Sequence, residues 1–422
     1  MNILNQILRF PTRRRREIGE VVKALLRIKG EASAIKLAHE VLQRYAEADA
    51  AGQRAFFALL RDELGPDDTR LGAALAAYQS GPNGERYLEL LDAVEPSRQE
   101  LIRILNWAPH GTSSLIRMRA DLLQHAREDA TLKLVDYDFR HLLASWFNRG
   151  FLELRRIDWN TPAFILEKLI HYESVHAITD WADLQRRLAS DRRCFAFFHP
   201  QLPDEPLIFV EVALTRGLVT DIDDVLRDPL PDDDDDPPDT AIFYSINNCQ
   251  VGLQGISFGN FLIKQVADEL AEEIGSLKHV ATLSPIPGLR RWFEPIWRAG
   301  LDERFSSADY ATLAALDEPQ WWLDADAVSA LQPVLTNACA HYLLEEKRGD
   351  EPADPVARFH LSNGARIEQI NWLGDTSEER LRQSYGLLVN YVYDRRSVIK
   401  NHESYVAKGK IAAASAVTGE LK

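Results

Sequence analysis

Residues 241–285 read AIFYSINNCQVGLQGISFGNFLIKQVADELAEEIGSLKHVATLSP. This stretch begins with a β-prone run at residues 241–246 and passes through a glycine-containing loop into a helical pattern at residues 261–274. A second β-prone run follows at residues 280–283. The order of strand, loop, helix and strand predicts a mixed α/β region in this half of the chain.

The loop before the helix has features of a phosphate-binding turn. Its glycines would let backbone N–H groups approach an anion, and the helix N-terminus would add favourable partial charge. Lys264, one turn into the helix, would pair with a phosphate. The spacing matches neither a Walker A loop nor a Rossmann fingerprint, so a plain strand-to-helix turn stays open on local grounds. The loop consists of Gln254, Gly255, Ile256, Ser257, Phe258, Gly259 and Asn260.

Two polar side chains stand at the ends of predicted strands. Ser284 follows the run at residues 280–283, and two nearby prolines stop that strand and fix the backbone. His360 ends a second predicted strand, at residues 356–360, before the turn Ser362-Asn363-Gly364. A serine in a turn and a lone histidine are each more often structural than catalytic, so both interpretations stay open.

The sequence patterns on either side of residues 241–285 divide the chain into two parts. Apolar residues recur at three- and four-residue intervals from about residue 17 to residue 186, which predicts an antiparallel helical bundle. From about residue 191, short β-prone runs alternate with helical patterns, among them a helix at residues 378–391. The predicted fold class is α+β, with a helical domain at residues 1–187 and a mixed α/β domain at residues 188–422.

Composition excludes several classes of function. The 422 residues carry 49 basic and 64 acidic side chains, a net charge of −15, which disfavours a nucleic-acid partner. An anionic ligand would need a local cluster of basic side chains or backbone N–H groups. The three cysteines, Cys194, Cys249 and Cys339, form no CxxC pair, so neither a disulfide framework nor a zinc site is indicated. No metal ligand set is predicted.

The same features bear on the compartment. No run of about 18 apolar residues is present, so no membrane span is predicted. Few cysteines favour a reducing, cytoplasmic compartment. The four arginines at residues 13–16 resemble part of a transit peptide, which would place the protein in the mitochondrial matrix. The alternative is that they form a basic first turn before the helix that begins near Glu17.

Several segments together resemble malonyl-CoA decarboxylases, in the order in which that family has them. The three most specific are residues 252–264, the turn Leu283-Ser284-Pro285-Ile286-Pro287-Gly288, and Phe359-His360-Leu361-Ser362-Asn363-Gly364-Ala365. Tyr172-Glu173-Ser174-Val175-His176 and Ser384-Tyr385-Gly386-Leu387-Leu388-Val389-Asn390-Tyr391 also match. The likeness is clear from about Leu142 to Tyr393 and looser over the helices before it.

The resemblance implies a helical domain used for oligomerisation, as a dimer or tetramer, followed by an acetyltransferase-like catalytic domain. Ser284 and His360 would be catalytic, and Gln254 to Asn260 would bind malonyl-CoA. Tyr393 falls where the family has an active-site tyrosine, and Lys264 and Asn363 are candidates for supporting contacts. Ser257 departs from members that have a glutamate in this loop. No cofactor or metal is implied, because CoA is part of the substrate.

The implied reaction is the decarboxylation of malonyl-CoA. Ser284 would bind the malonyl carboxylate and accept its proton, while His360 would protonate the enolate carbon; exchanging these roles would suit the same residues. Two other classes of function stay open. One is an acyl-CoA N-acyltransferase on the same fold, and the other is an acyl-CoA sensor without catalytic activity. Release of carbon dioxide without an amine acceptor would separate the enzyme from both.

Overall fold

The computed structural model describes residues 17–227, 237–256, 262–300 and 302–421. These residues form two compact units. The first contains the described residues up to Leu152, together with His199–Pro203 and residues 250–256, and the second contains the remainder. The arginine run at residues 13–16 and residues 257–260 of the predicted phosphate loop lie outside the described residues.

The described part of the first unit contains eight α-helices, which confirms the predicted helical region. Side chains of Asp49, Asp67 and Asn83 accept backbone N–H groups at the starts of the third, fourth and fifth helices. The helices are α1 Ile18–Arg27, α2 Glu31–Ala46, α3 Ala50–Asp62, α4 Asp68–Ser80, α5 Gly84–Val94, α6 Ser97–Leu105, α7 Gly111–His125 and α8 Lys133–Trp146.

A close backbone contact joins the segment at residues 250–256 to helix α7. Gly252 lies in a 3-10 turn, Val251–Leu253, and a Cβ atom at this position would be 1.9 Å from the carbonyl oxygen of Ile116. The buried Arg119 guanidinium supports the contact, since its Nη1 donates to the Gly252 carbonyl at 2.7 Å and its Nε donates to Asp136 at 2.8 Å. Only glycine fits where two backbones come this close.

The hairpin formed by α4 and α5 exposes apolar side chains. Helix α4 has no buried residue, and in α5 only Ala93 is buried among the described residues. The hairpin nevertheless carries large apolar side chains that face solvent, and Leu88 is 62% exposed. The others are Leu75, Tyr87, Leu91 and Val94. A surface of this kind is typical of an interaction site.

The second unit alternates strands and helices, as predicted. In chain order, its elements are β1 Glu153–Ile157, α9 Ala163–Tyr172, α10 Trp181–Arg187, β2 Arg192–Phe198, β3 Ile208–Thr215, α11 Ile222–Leu226, β4 Thr240–Asn248, α12 Leu262–Glu273, β5 His279–Thr282, β6 Ser284–Pro285, α13 Leu289–Ala299, α14 Ser307–Leu313, α15 Ala325–Leu344, β7 Lys347–Arg348, β8 Glu351–Pro352, α16 Pro355–Ser362, β9 Arg366–Asn371, α17 Glu378–Ser384, β10 Leu388–Val392, α18 Val398–Lys408 and α19 Ser415–Thr418.

One mixed sheet organises this unit. Strands β1 to β4 are neighbours in chain order and antiparallel, whereas β4 and β5 are parallel, with α12 as the crossover between them. Strand β10 pairs with β5 and β6 along one edge and with β9 along the other. The fold class predicted from the sequence is confirmed, and the crossover agrees with the acetyltransferase-like domain that the resemblance implies.

The two outer strands of the sheet have different surroundings. Strand β1 presents Arg155 and Arg156, and Arg156 pairs with Glu273 at 3.2 Å. On the opposite side, strand β9 is followed outward by the C-terminal segment. There the N–H of Ile367 donates to Ala412, and the N–H of Ala414 donates to Ile367. Strand β1 therefore carries charged side chains, and strand β9 is covered by hydrogen-bonded backbone.

Helices α9 and α10 belong to the second unit. The sequence patterns place them in the helical domain at residues 1–187, but the boundary between the compact units falls after Leu152. Ile165, Leu169 and Leu184 of these helices share a core with Ala196 and Phe209 of the sheet. Strand β1 also interrupts the helical pattern predicted up to residue 186. Amphipathic helices look alike in sequence whether they pack on helices or on a sheet.

Two further predictions about secondary structure are wrong. Residues 356–360 form part of helix α16 instead of a strand, because Asp354 caps its N-terminus and Pro355 occupies its first turn. The helix predicted at residues 378–391 ends at Ser384. Tyr385 and Gly386 adopt positive φ angles of 56° and 81°, which stops the helix, and β10 follows.

Two kinds of feature are absent from the described residues. No helix among them has the length and apolar character needed to cross a membrane. They also hold no group of three His, Cys, Asp or Glu side chains that could bind a metal ion.

Candidate active site

Ser284 lies in a buried position beside the central strands. It begins the short strand β6, directly after Leu283 interrupts β5, and it pairs with Val389 of β10. Its hydroxyl oxygen lies 2.7 Å from Thr282 Oγ1 and 3.2 Å from His360 Nε2. The residue is 5% exposed. The prolines therefore hold the hydroxyl at a rigid position within a hydrogen-bond network.

His360 reaches this position from helix α16. Asp354 caps the N-terminus of this helix, and its Oδ1 accepts the N–H groups of Val356 and Ala357, both at 2.9 Å. The His360 ring stacks on Tyr391 with 4.5 Å between centroids, and the residue is 2% exposed. Burial lowers the pKa of His360 to about 3, so the imidazole is neutral at pH 7.

Tyr393 completes a chain of three side chains. Its hydroxyl lies 2.7 Å from His360 Nδ1, and its backbone N–H donates to the carbonyl of Val280 at 2.8 Å. Burial raises the pKa of the Tyr393 phenol well above its ordinary value, so the phenol keeps its proton. Both ring nitrogens of His360 are thus engaged, one by Ser284 and the other by Tyr393. A hydroxyl, an imidazole and a second hydroxyl in this arrangement can relay a proton.

A cavity of about 530 Å³ lies within the second unit, next to the hydrogen-bonded side chains of Ser284, His360 and Tyr393. Tyr393 and Asn363 form part of its wall, and Lys264 and Arg395 contribute positive charge. Arg395 lies 3.8 Å from Asp268, another wall residue, and is mostly exposed. The apolar part of the wall consists of Ile263, Ala267, Val280, Val398 and Ile399. Glu403 is a second carboxylate of the wall, so the cavity combines an apolar lining with two cationic and two anionic side chains. A mostly apolar cavity with a few polar groups suits a small-molecule ligand.

Comparisons with known proteins agree with this geometry. The family model described as the malonyl-CoA decarboxylase C-terminal domain matches residues 150–422, and its N-terminal domain model matches residues 64–147. The chain belongs to the malonyl-CoA decarboxylase family. This confirms the family resemblance and the enzyme class, a carboxy-lyase, that the sequence predicts.

Similar proteins in the malonyl-CoA decarboxylase family come from animals and bacteria. The mitochondrial enzyme of Anser anser anser is 32% identical over 411 residues, covering 90% of this chain and 82% of that protein. The mouse enzyme is 34% identical over an alignment of 353 positions that covers 77% of this chain and 71% of that protein. The crystal structure from Rhodopseudomonas palustris is 48% identical with a TM-score of 0.92, covering 96% and 98% of the two chains. The structure from Agrobacterium vitis is 47% identical with a TM-score of 0.91, covering 96% and 100%.

The loop that the family resemblance assigns to malonyl-CoA is only partly described. Gln254, Gly255 and Ile256 belong to the first unit, and Gly255 has a φ of 75°, which glycine adopts without strain. Ser257, Phe258, Gly259 and Asn260 lie outside the described residues. The malonyl-CoA-binding role of this loop therefore stays a prediction, as do the catalytic roles of Ser284 and His360.

Thr282 is a member of the network that sequence reasoning missed. It is fully buried, and its hydroxyl contacts Ser284. The spacing of the two residues was a usable signal, because side chains two apart on an extended chain point to the same face. Asn363, a candidate for supporting contacts, donates from its side chain to the Phe359 carbonyl at 2.6 Å and so closes the end of helix α16.

The buried cap of helix α16 gives a prediction about pH. Burial raises the pKa of Asp354 to about 6 from an ordinary 3.8, so the folded protein holds this proton more tightly than the unfolded chain does. The protonated Asp354 carboxyl therefore adds to the free energy of unfolding in full below the pKa of the unfolded chain. This addition is lost as the pH rises through 6. Asp354→Asn keeps an oxygen acceptor and has no charge to bury. It should therefore gain about 1 kcal/mol of unfolding free energy relative to wild type between pH 5 and pH 7.5. Urea unfolding at both pH values measures this, and a pH-independent difference would contradict it.

The three cysteines are all free and buried. Burial raises the pKa of the Cys194 and Cys339 thiols well above the ordinary value, and it also raises that of Cys249. Because the thiolate is the reactive form, these positions are poor targets for oxidation while the protein is folded.

Proposed function

We propose that this protein converts malonyl-CoA into acetyl-CoA and carbon dioxide. The observation that carries the proposal is the contact of Ser284 with His360, 3.2 Å apart and buried, which continues through Tyr393 to the wall of the cavity. Membership of the malonyl-CoA decarboxylase family supports the choice of substrate.

The proposed mechanism needs only side chains and the substrate itself. Loss of carbon dioxide leaves a carbanion that delocalises into the thioester carbonyl as an enolate, so the thioester is the electron sink. The protein must hold the carboxyl group, stabilise the enolate oxygen and deliver a proton to C2. Each donor aimed at a developing oxyanion supplies about 3–4 kcal/mol, and a positioned general acid contributes roughly 10²–10⁴-fold.

Proton balance follows from the neutral imidazole. Ser284 binds the malonyl carboxyl group and takes up a proton there, which comes from solvent because the free carboxyl is ionised at pH 7, while the Ser284 proton passes to His360. His360 supplies the proton that reaches C2, so each turnover consumes one solvent proton. A proton enters the relay as one leaves it. His360 therefore stays neutral throughout, as its lowered pKa of about 3 requires.

The test is turnover without any acceptor. Purified protein is incubated with malonyl-CoA alone and, in parallel, with methylmalonyl-CoA, and carbon dioxide and the acyl-CoA product are measured. Carbon dioxide equal to the malonyl-CoA consumed supports the lyase. Product formation only after an amine is added would identify an N-acyltransferase instead, and binding without turnover would identify a sensor. Comparing the two substrates shows whether the site tolerates a substituted C2.

The helical region, residues 1–187 as predicted from the sequence, is proposed to form the contacts of a homo-oligomer. The exposed apolar side chains of the α4–α5 hairpin support this role. The double variant Leu88→Glu, Leu91→Glu should be shifted towards monomer relative to wild type, which is expected to be a dimer or tetramer, because buried charge at an interface is costly. Light scattering coupled to gel filtration measures the mass. An unchanged mass would remove this hairpin from the interface.

The compartment is proposed to be the cytoplasm, with the mitochondrial matrix as the alternative. Buried free thiols agree with either reducing compartment.

A further inference from the structure

Thr282 has a hydrogen-bond arrangement that restricts where its proton can go. Its hydroxyl oxygen lies 3.3 Å from the backbone nitrogen of Tyr391 and 2.7 Å from Ser284 Oγ. A backbone amide can only donate, so Thr282 accepts from Tyr391. The hydroxyl proton of Thr282 must then find an acceptor, because the residue is 0% exposed. Among the described residues, Ser284 Oγ is that acceptor.

This choice sets the direction of every following bond. Since Ser284 accepts from Thr282, its own proton is available for His360 Nε2. A neutral imidazole has one N–H, which must then be on Nδ1, and that N–H donates to the Tyr393 hydroxyl oxygen at 2.7 Å. The Tyr393 proton is left to face the cavity, whose wall Tyr393 helps to form.

The opposite direction leaves a buried group unsatisfied. If Tyr393 donated to Nδ1, then Nε2–H would donate to Ser284. Ser284 could then donate to Thr282 or accept from it, and in either case one of the two hydroxyl protons, that of Thr282 or that of Ser284, would have no acceptor among the described residues. An unpaired buried hydroxyl proton costs the desolvation of that group, so the first direction is favoured.

We propose that Thr282 is a positioning residue that fixes the direction of the chain from Thr282 through Ser284 and His360 to Tyr393. It holds His360 as the Nδ1–H tautomer and leaves the Tyr393 hydroxyl as the proton donor towards the cavity. A proton given up by Tyr393 is replaced from His360 Nδ1, and Ser284 reprotonates the ring at Nε2. The last part rests on the proposed function, in which Ser284 then takes up a solvent proton at the substrate carboxyl group.

The direct test is nitrogen NMR of the full chain labelled with 15N in histidine, with His360→Gln used to assign the His360 signals. We expect a protonated, pyrrole-type Nδ1 and an unprotonated, pyridine-type Nε2. Thr282→Val removes the hydroxyl and should move the population towards the Nε2–H tautomer. It should also lower kcat by about ten- to a hundredfold with little change in KM. Thr282→Ser keeps the hydroxyl and should restore both properties.

Thr240→Val is the matched control, because Thr240 is also fully buried in the sheet but its hydroxyl donates to Asp239. It should leave the His360 tautomer and kcat unchanged. A wild-type Nε2–H tautomer would overturn the proposal, as would a folded Thr282→Val variant with wild-type tautomer and kcat. If Thr282→Val does not fold, the wild-type spectrum still decides. The expected tautomer in a protein without decarboxylase activity would contradict the proposed function but leave the bond direction standing.

Discussion

Decarboxylation of malonyl-CoA is expected to slow at least about a hundredfold when Ser284 or His360 is replaced by alanine. Either change breaks the relay at its centre, because the Ser284 hydroxyl is hydrogen-bonded to the imidazole and, among the described residues, His360 joins Ser284 to Tyr393. The loss should appear in kcat, since a proton-transfer group acts in the transition state more than in substrate binding. Steady-state assays of carbon dioxide release measure it.

A histidine on the preceding strand, β5, provides the control. His279 is exposed at the start of β5, and His279→Ala should keep wild-type kcat. Circular dichroism and urea unfolding of all three variants separate loss of chemistry from loss of structure. Near-normal turnover by both Ser284→Ala and His360→Ala would mean that these residues do not carry the reaction.

The largest effect on stability is expected from Gly252→Ala. The added Cβ would lie 1.9 Å from the Ile116 carbonyl oxygen, and backbone cannot move aside as a flexible side chain can. The residues near 252 must then separate from helix α7, which also weakens the buried bond from Arg119 to the Gly252 carbonyl. We expect a loss of about 3 kcal/mol in the free energy of unfolding of the first unit.

Urea unfolding followed by tryptophan fluorescence measures this loss. Gly72→Ala is the comparison variant, because Gly72 lies inside helix α4 and a Cβ atom added there would have no neighbour within 4 Å. Its substitution should raise stability by up to about 1 kcal/mol through helix propensity. Equal unfolding midpoints for Gly252→Ala and wild type would show that the two backbones are further apart in solution.

Much of the catalytic half could be predicted from local patterns. The β-prone runs at residues 241–246 and 280–283 and the helical pattern at 261–274 correspond to β4, β5 and α12. Continuous apolar runs with abrupt ends are reliable signals for buried strands. The convergence of Ser284 and His360 came from family resemblance, because sequence patterns do not show which distant segments meet.

The errors have identifiable physical causes. Residues 356–360 have a β-prone composition, yet Asp354 and Pro355 are strong helix-start signals and decide the structure. The bulky Tyr385 at positive φ, next to Gly386, ends α17 in a place where the apolar pattern alone continues. Thr282 gave no motif of its own, and its importance comes from a contact with Ser284 and with the distant Tyr391 amide.

The outer strands of the sheet bear on how this protein behaves at high concentration. An uncovered strand offers its N–H and C=O groups to any other extended chain, which is how many proteins begin to aggregate. Here strand β1 carries the charged side chains of Arg155 and Arg156 at one margin, and the segment from Ala412 to Ala414, hydrogen-bonded to Ile367, covers the other. Truncating the chain before Ala412 would open that second margin to strand addition, so expression designs should retain the tail.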